Sequence, residues 1–385
     1  MTHYYNANHT AKASALHRAL LLVICFILSF PITSLAQTIG GNVYGAGNQG
    51  NVESSSTVML KGGTIMGDVY GGAREADVAG RTFVDVNATS ALLVRCVYGG
   101  NDVSGTIGTS TELPFNSPLA TEIDNSWNSF VRIAPNTQYP VIIGSLYGGG
   151  NGAYTYADES KKPVLGKTYL EIQGGIFGNI YGGGNNATVT GNTVIYMNNQ
   201  LENLSVSEAT LGDFKDLFDA PDYSTNGENV TFKHHVSRMF GGNNLAEMAI
   251  RPTWNLIMGS INNLYSGGNR GAMTSRTGIL LPLTSADLTV NNVYGGCRIA
   301  DVNPGTNAPG EDKTIQDYTF PADYATRVYI TAGNITNVYG GNDISGKVHY
   351  GTNLAIFSKT GNLLGQFFSS LFGRLRERKT DGLAV

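Results

Sequence analysis

A short motif recurs nine times along the chain, and it constrains the fold more than any other feature. An aliphatic residue, an aromatic and a run of small residues read VYGAGN, VYGGAR, VYGGND, LYGGGN, IYGGGN, MFGGNN, LYSGGN, VYGGCR and VYGGND. They centre on Tyr44, Tyr70, Tyr98, Tyr147, Tyr181, Phe240, Tyr265, Tyr294 and Tyr339. Successive aromatics are 26, 28, 49, 34, 59, 25, 29 and 45 residues apart, so the longer intervals read as one short unit plus an insertion. A unit of 25–29 residues cannot close a core alone and must bury its apolar face on a neighbouring copy. A stack of repeats follows, rather than the two or three independent domains that 385 residues would otherwise suggest.

Within each unit the pattern is that of strands. The residue before the aromatic is always Val, Leu, Ile or Met, and the residue four before it is apolar in eight of the nine units. Downstream, every second residue is small or apolar: Ala76, Val78, Gly80, Thr82, Val84, Val86 in one unit and Ala187, Val189, Gly191, Thr193, Ile195, Met197 in another. Period two marks strands with one buried face. A Thr lies thirteen residues before the aromatic in three units, at Thr57, Thr168 and Thr326. Each unit therefore holds about three short strands and three bends, with too little chain for a crossover helix. The expected class is all-β, a parallel β-helix (β-solenoid) of about nine coils, spaced about 4.8 Å apart. Glycine follows eight of the nine aromatics, all but Tyr265, because the coils turn the same corner, where a Cβ would strike the next coil or demand a forbidden φ. Five Asn four residues after the aromatic (Asn48, Asn151, Asn185, Asn244, Asn269) predict an amide ladder between coils.

Composition then becomes intelligible. There are 50 Gly but only 12 Pro and no G-X-Y period, which excludes collagen. Charged residues make up 14% and net charge is −4, which argues against a broad nucleic-acid footprint. A longer similarity overlies the repeat: GGAREADV at 71–78 matches GGCRIADV at 295–302, and GGNDVSG at 99–105 matches GGNDISG at 340–346, as duplication would leave.

Other segments depart from the rhythm. Residues 1–36 read as a signal peptide: Lys12, His17 and Arg18, an apolar run from Ala19 to Phe30, then Ser34-Leu35-Ala36 as a small-x-small cleavage site. Export to the cell surface, the outer membrane or the medium is expected, with no transmembrane helix after cleavage. A lipoprotein reading at Cys25 is opposed by the bulky Ile24. The repeat domain spans 37–356, with insertions at 104–142, 198–235 and 303–325. The first and last read as loops, while residues 205–220 of the acidic middle one read as an amphipathic helix capped by Ser205 or Ser207. In the tail, 357–385, Leu363, Leu364, Phe367, Phe368, Leu371, Phe372 and Leu375 fall at helical spacing before a basic cluster, as for a capping helix or a membrane-surface helix.

The VYGGGN–AxVxG–TxVxI pattern behind a signal peptide resembles the glycine-rich β-helix repeats of adhesin-like surface proteins of Bacteroidetes-type bacteria. The resemblance covers most of residues 38–350. It implies a right-handed parallel β-helix, broadly pectin-lyase-like, in an extracellular or outer-membrane location. The expected partners are glycans or host or cell-surface proteins, and no nucleic acid.

Few residues suggest chemistry. Gly45–Gly50 matches GxGxxG, but a strand pattern follows where a dinucleotide site needs a helix. His234-His235 adjoins the acidic insertion and could hold a metal, but the pair reads first as solvated loop residues. Cys96 and Cys297 lack metal spacing and read as a disulfide or as two buried thiols. No cofactor is expected. Asp77, Asp301, Arg74 and Arg298 occur in matched units and would be needed for the enzymatic alternative, a polysaccharide lyase or hydrolase. The expected binding residues are the nine motif aromatics, Tyr44, Tyr70, Tyr98, Tyr147, Tyr181, Phe240, Tyr265, Tyr294 and Tyr339. Pleating turns them away from the aliphatic core, either as an exposed platform for sugars or as rings stacked on one another.

Overall fold

A computed structural model describes residues 37–108, 127–136, 138–219, 222–305, 314–315, 318–319, 324–357 and 370–372. Residues 1–36, the expected signal peptide, lie outside them, as does most of the tail.

One strand in each repeat ends on the motif aromatic: Val43–Tyr44, Gly63–Tyr70, Leu92–Tyr98, Val141–Tyr147, Ile176–Tyr181, Val236–Phe240, Thr253–Tyr265, Asp287–Tyr294 and Asn334–Tyr339. They pair in chain order, all parallel, with each aromatic in register with the next. A second parallel ladder joins Ser56–Leu60, Thr82–Val86, Trp127–Ile133, Lys167–Ile172, Thr193–Asn198 and the first half of Thr253–Tyr265. Thr277–Leu281, Tyr324–Ile330 and Gly351–Ile356 form a further ladder of the same kind. Single bridges make a third line of contact, Val52 to Val78 to Ile107 and Met248 to Met273 to Val302 to Val348. The chain is thus mostly β, organised around a large and mostly parallel sheet.

The core lies between the first two ladders. Val97, Leu146 and Ile180, each preceding a motif aromatic, share one buried cluster with Val84, Val131 and Leu170 of the second ladder. Pleating explains the selection, since residues two apart share a face. In the Tyr70 unit a register shift falls between Ile65 and Asp68, so Ile65 is buried and Met66 is exposed. The apolar residue four before that aromatic is therefore not its core residue.

Two links recur between successive repeats. A hydroxyl at the start of a second-ladder or further-ladder strand donates to the carbonyl of the glycine that follows an aromatic: Thr168 to Gly182 and Thr277 to Gly295 at 2.6 Å, and Thr193 to Gly241 at 2.9 Å. Thr326 donates likewise to Gly340. Ser56, not the exposed Thr57, serves Gly71, because register puts Ser56 opposite Thr82. The second link is the glycine itself. A Cβ on Gly148 would stand 2.2 Å from the Gly182 carbonyl oxygen, and one on Gly71 would stand 2.5 Å from that of Gly99. Close approach of the next repeat, not a positive φ, excludes side chains at these two corners. Gly148→Ala is therefore expected to destabilise the fold by about 1–3 kcal/mol through overpacking. Gly50→Ala, with nothing within 4 Å of the new methyl, should be close to neutral. Urea midpoints of the two variants check this.

The insertions are more structured than their composition implies. Segment 104–142 contains Trp127–Ile133, a full second-ladder strand, because Pro118 and Pro135 flank that run rather than interrupt it. Residues 205–220 do not form one helix. Ser205–Ser207 is a strand, and Ser207 caps only the single turn Glu208–Leu211, with its hydroxyl accepting from the Thr210 amide. A 3-10 segment, Gly212–Leu217, follows. Ser205–Ser207 and Tyr223–Asn226 both pair antiparallel with Asn229–Phe232. This small module seats Leu211, Phe214, Phe218 and Phe232 on Leu93, Ile142 and Ile176 of the first ladder, and that burial overrides the helical spacing. Within 303–325, Thr314–Ile315 and Tyr318–Thr319 pair as a hairpin. In the tail, the part described is a strand rather than a helix: Ser370–Phe372 pairs with Asn334–Tyr339, putting the Phe372 backbone in register with Tyr339. An open sheet edge offers the hydrogen bonds that favour this addition.

Candidate functional site

The nine motif aromatics form one continuous column. Neighbouring ring centroids lie 4.5–5.0 Å apart with planes within 5–8° of parallel, from Tyr44 to Tyr339. The spacing is that of the strands themselves, so ring stacking and backbone pairing share one repeat distance. The rings do lie on the face opposite the aliphatic core, but they cover each other. The seven inner ones are at most 8% exposed, while Tyr44 and Tyr339 at the ends are half-buried. Their faces do not form an open platform, and any contact with a ligand falls to the hydroxyl edges.

Polar rows flank the column. Four residues after each aromatic, the amide ladder runs through Asn151 to Asp102, Asn185 to Asn151, Asn244 to Asn185 and Asn269 to Asn244, each bond 2.8–2.9 Å. Arg298 extends it by donating to Asn269 Oδ1. Two residues before each aromatic lies a second row that the motif alone did not reveal. In it Asn337 donates to Asn292, Asn292 to Asn263, and Arg238 to Asn179. Pleating gives the signal that could have found it, because residues two before the aromatic share its face. A third set lies three residues after the aromatic: the buried Asn101 and Asn243 and the half-buried Asn342 each bridge backbone groups between turns of chain.

Charge is distributed unevenly along these rows. Near one end, the buried Asp102 carboxylate accepts from the Tyr44 and Tyr154 hydroxyls, both at 2.8 Å, and from Asn151. Burial, with the nearby carboxylate, raises the Tyr44 and Tyr154 pKa values. Further along, Tyr265 donates to Asp343. Between them opens a cavity of about 260 Å³ lined by Tyr147, Tyr181, Asn244, Asn269 and three guanidiniums, Arg238, Arg270 and Arg298. Arg238 pairs with Asp219 of the acidic insertion. Its pKa is lowered by burial first and by the charge of Arg298 second. Burial pushes the Tyr181 hydroxyl up to about 12 despite both guanidiniums.

The remaining candidates have structural partners. Asp77 accepts from the backbone amide and hydroxyl of Thr106, and Asp301 from the amide of Lys347. Each thereby tethers one repeat to the next. Arg74 contacts Glu75 and Asn48, so of the four matched residues only Arg298 reaches the cavity. Gly45–Gly50 precedes the Val52 bridge and the strand Ser56–Leu60, not a helix. Cys96 and Cys297 are free thiols, and burial pushes Cys297 up to about 12 and Cys96 higher still, which leaves both poor nucleophiles.

His234 and His235 are not a solvated loop pair. The Ser260 amide donates to His235 Nδ1 at 2.9 Å, and His235 Nε2 lies 2.6 Å from the Leu201 carbonyl. Nδ1 is thus the acceptor and Nε2–H the donor, which fixes the neutral ring. Burial depresses the His235 pKa below the ordinary imidazole value, and so does that of His234. The unfolded chain then takes up protons that the folded chain refuses, so stability present above about pH 6.5 is lost as pH falls below it. His235→Gln should flatten this acid branch of the urea midpoint between pH 7.5 and 5. An unchanged slope would assign it to other groups.

No protein family, characterised protein or solved structure matched the chain. No helix among the described residues is long and apolar enough to cross a membrane.

Proposed function

We propose that this chain is a right-handed parallel β-helix acting as a secreted or cell-surface structural module, adhesin-like in binding an extracellular partner, and without catalysis of its own. The observation that carries the reading is the unbroken aromatic column with its flanking amide ladder. Most positions of the nine-fold motif are used inside the stack, as aliphatic core, stacked ring, corner glycine or amide link. A motif used this way builds length, and leaves contact with other molecules to the insertions and the polar rows. The basic n-region and small-x-small sequence before Gln37 support export.

Surface proteolysis of intact producing cells, followed by fractionation, tests it. The chain should be cleaved on intact cells or recovered from the medium. Full protection on intact cells with release only after lysis would overturn the surface assignment. Release of reducing ends or unsaturated uronates from a panel of neutral and acidic glycans would overturn the non-enzymatic part.

A further inference from the structure

Arg238, Arg270 and Arg298 come from three successive repeats, those of Phe240, Tyr265 and Tyr294, yet they line one cavity. They reach it by different routes. Arg238 stands two before its aromatic, where other units hold Asn or Ser, such as Asn179 and Ser145. Arg298 stands four after its aromatic, at the end of the amide ladder. Arg270 follows Asn269 of that ladder and is exposed. Three like charges at one place repel each other, and the charge of Arg298 already disfavours that of Arg238. Only one carboxylate, Asp219, is ion-paired with any of them among the described residues, and Asp343 nearby is engaged by Tyr265. An arrangement that gathers cations in excess of their counter-ions is complementary to an anion.

The rest of the lining narrows the ligand. Guanidinium forks match the planar or tetrahedral oxygens of carboxylate and sulfate. Asn179, Asn244 and Asn269 supply amides and Ser145 a hydroxyl, groups that both donate and accept and therefore suit ring hydroxyls. Leu245, 40% exposed, offers one apolar contact for a C–H face. The volume of about 260 Å³ lies just below the roughly 300–1,000 Å³ of pockets for larger ligands, which limits the occupant to one small unit. We propose that this cavity binds one acidic sugar unit, a hydroxylated ring bearing a carboxylate or a sulfate, through Arg238, Arg270 and Arg298. The inference rests on the reading of the chain as a binding module and gives that module a ligand class.

Calorimetric titration of the purified chain with glucuronate, glucose 6-sulfate, glucose and inorganic sulfate tests it. The two acidic sugars should bind and weaken with added salt, glucose should not bind, and inorganic sulfate should bind more weakly than glucose 6-sulfate. Arg270→Ala and Arg298→Ala should each weaken acidic-sugar binding by roughly tenfold to a hundredfold, the effect of losing one charge-assisted hydrogen bond. Arg298→Lys, which keeps the charge but not the fork, should fall between. Arg74→Ala, outside the cavity, should leave binding unchanged. Thermal melts identify any variant that fails to fold, and the exposed position of Arg270 makes that variant the decisive one. Equal binding of glucose and glucuronate, or an unaltered response in Arg270→Ala, would overturn the site. Inorganic sulfate binding as tightly as glucose 6-sulfate would overturn the sugar component. Because the titration uses purified protein, its failure is distinct from a failure of surface exposure on cells.

Discussion

Tyr98→Ala is expected to lower stability by about 3–5 kcal/mol, the range for deleting a buried aromatic from a core. Tyr98 is 3% exposed and lies between Tyr70 and Tyr147, at centroid distances of 4.9 and 4.5 Å. The alanine removes both ring contacts and opens a gap that the strands cannot close, because their spacing is set by backbone hydrogen bonds. Tyr98→Phe keeps the ring and should cost no more than about 1.5 kcal/mol, the ordinary worth of one hydrogen bond. Tyr339→Ala, at a half-buried position stacked on Tyr294 at 4.7 Å, removes less buried ring surface and should cost less than Tyr98→Ala. Chemical denaturation of the three variants checks the order. Equal losses at Tyr98 and Tyr339 would mean that the column does not stabilise by stacking.

The second large effect belongs to Asn101. Its Oδ1 accepts from the Ala73 amide at 2.8 Å, and its Nδ2 donates to the carbonyls of Ala76 at 3.0 Å and Ser104 at 3.2 Å. Asn101→Leu fills the same space but strands those backbone groups, at about 1–3 kcal/mol for each one left buried and unsatisfied. The sum is several kcal/mol, a large part of the stability of an ordinary domain. Hydrogen exchange gives a local readout, since the Ala73 amide should lose protection beyond the global change. If Asn101→Leu melts like wild type with Ala73 still protected, the side chain is not the bridge described here.

The β class, the corner glycines and the amide ladder could be read from the sequence because each is a consequence of repetition. A residue at one offset in many units, such as Asn185, Asn244 and Asn269, must do the same thing each time. What could not be read depends on register. Thr57 satisfied the Thr spacing, yet Ser56 makes the bond, because a slip of one residue exchanges the two faces of a strand. Met66 satisfied the apolar spacing and is exposed for the same reason. Trp127–Ile133 was hidden among prolines, and its role emerges only when Ser129 and Val131 line up with Thr82 and Val84. The arginine cavity was invisible because no two of its three guanidiniums share an offset from the motif. His235 read as part of a solvated loop pair, but its ring nitrogens face Ser260 and Leu201, contacts made only by folding.

The hydroxyl link from Thr168 to Gly182, with its counterparts in other repeats, has a mechanical corollary. The junction between the Tyr147 and Tyr181 repeats is held by three kinds of bond acting side by side: backbone pairs, the buried Thr168 hydroxyl and the Asn185–Asn151 amide bond. The junctions themselves are arranged one after another. Tension along the stacking direction is therefore shared within a junction and transmitted undiminished between junctions. Strength is set by the weakest junction and toughness by their number, so adding repeats lengthens the stack without making it easier to break at any chosen point.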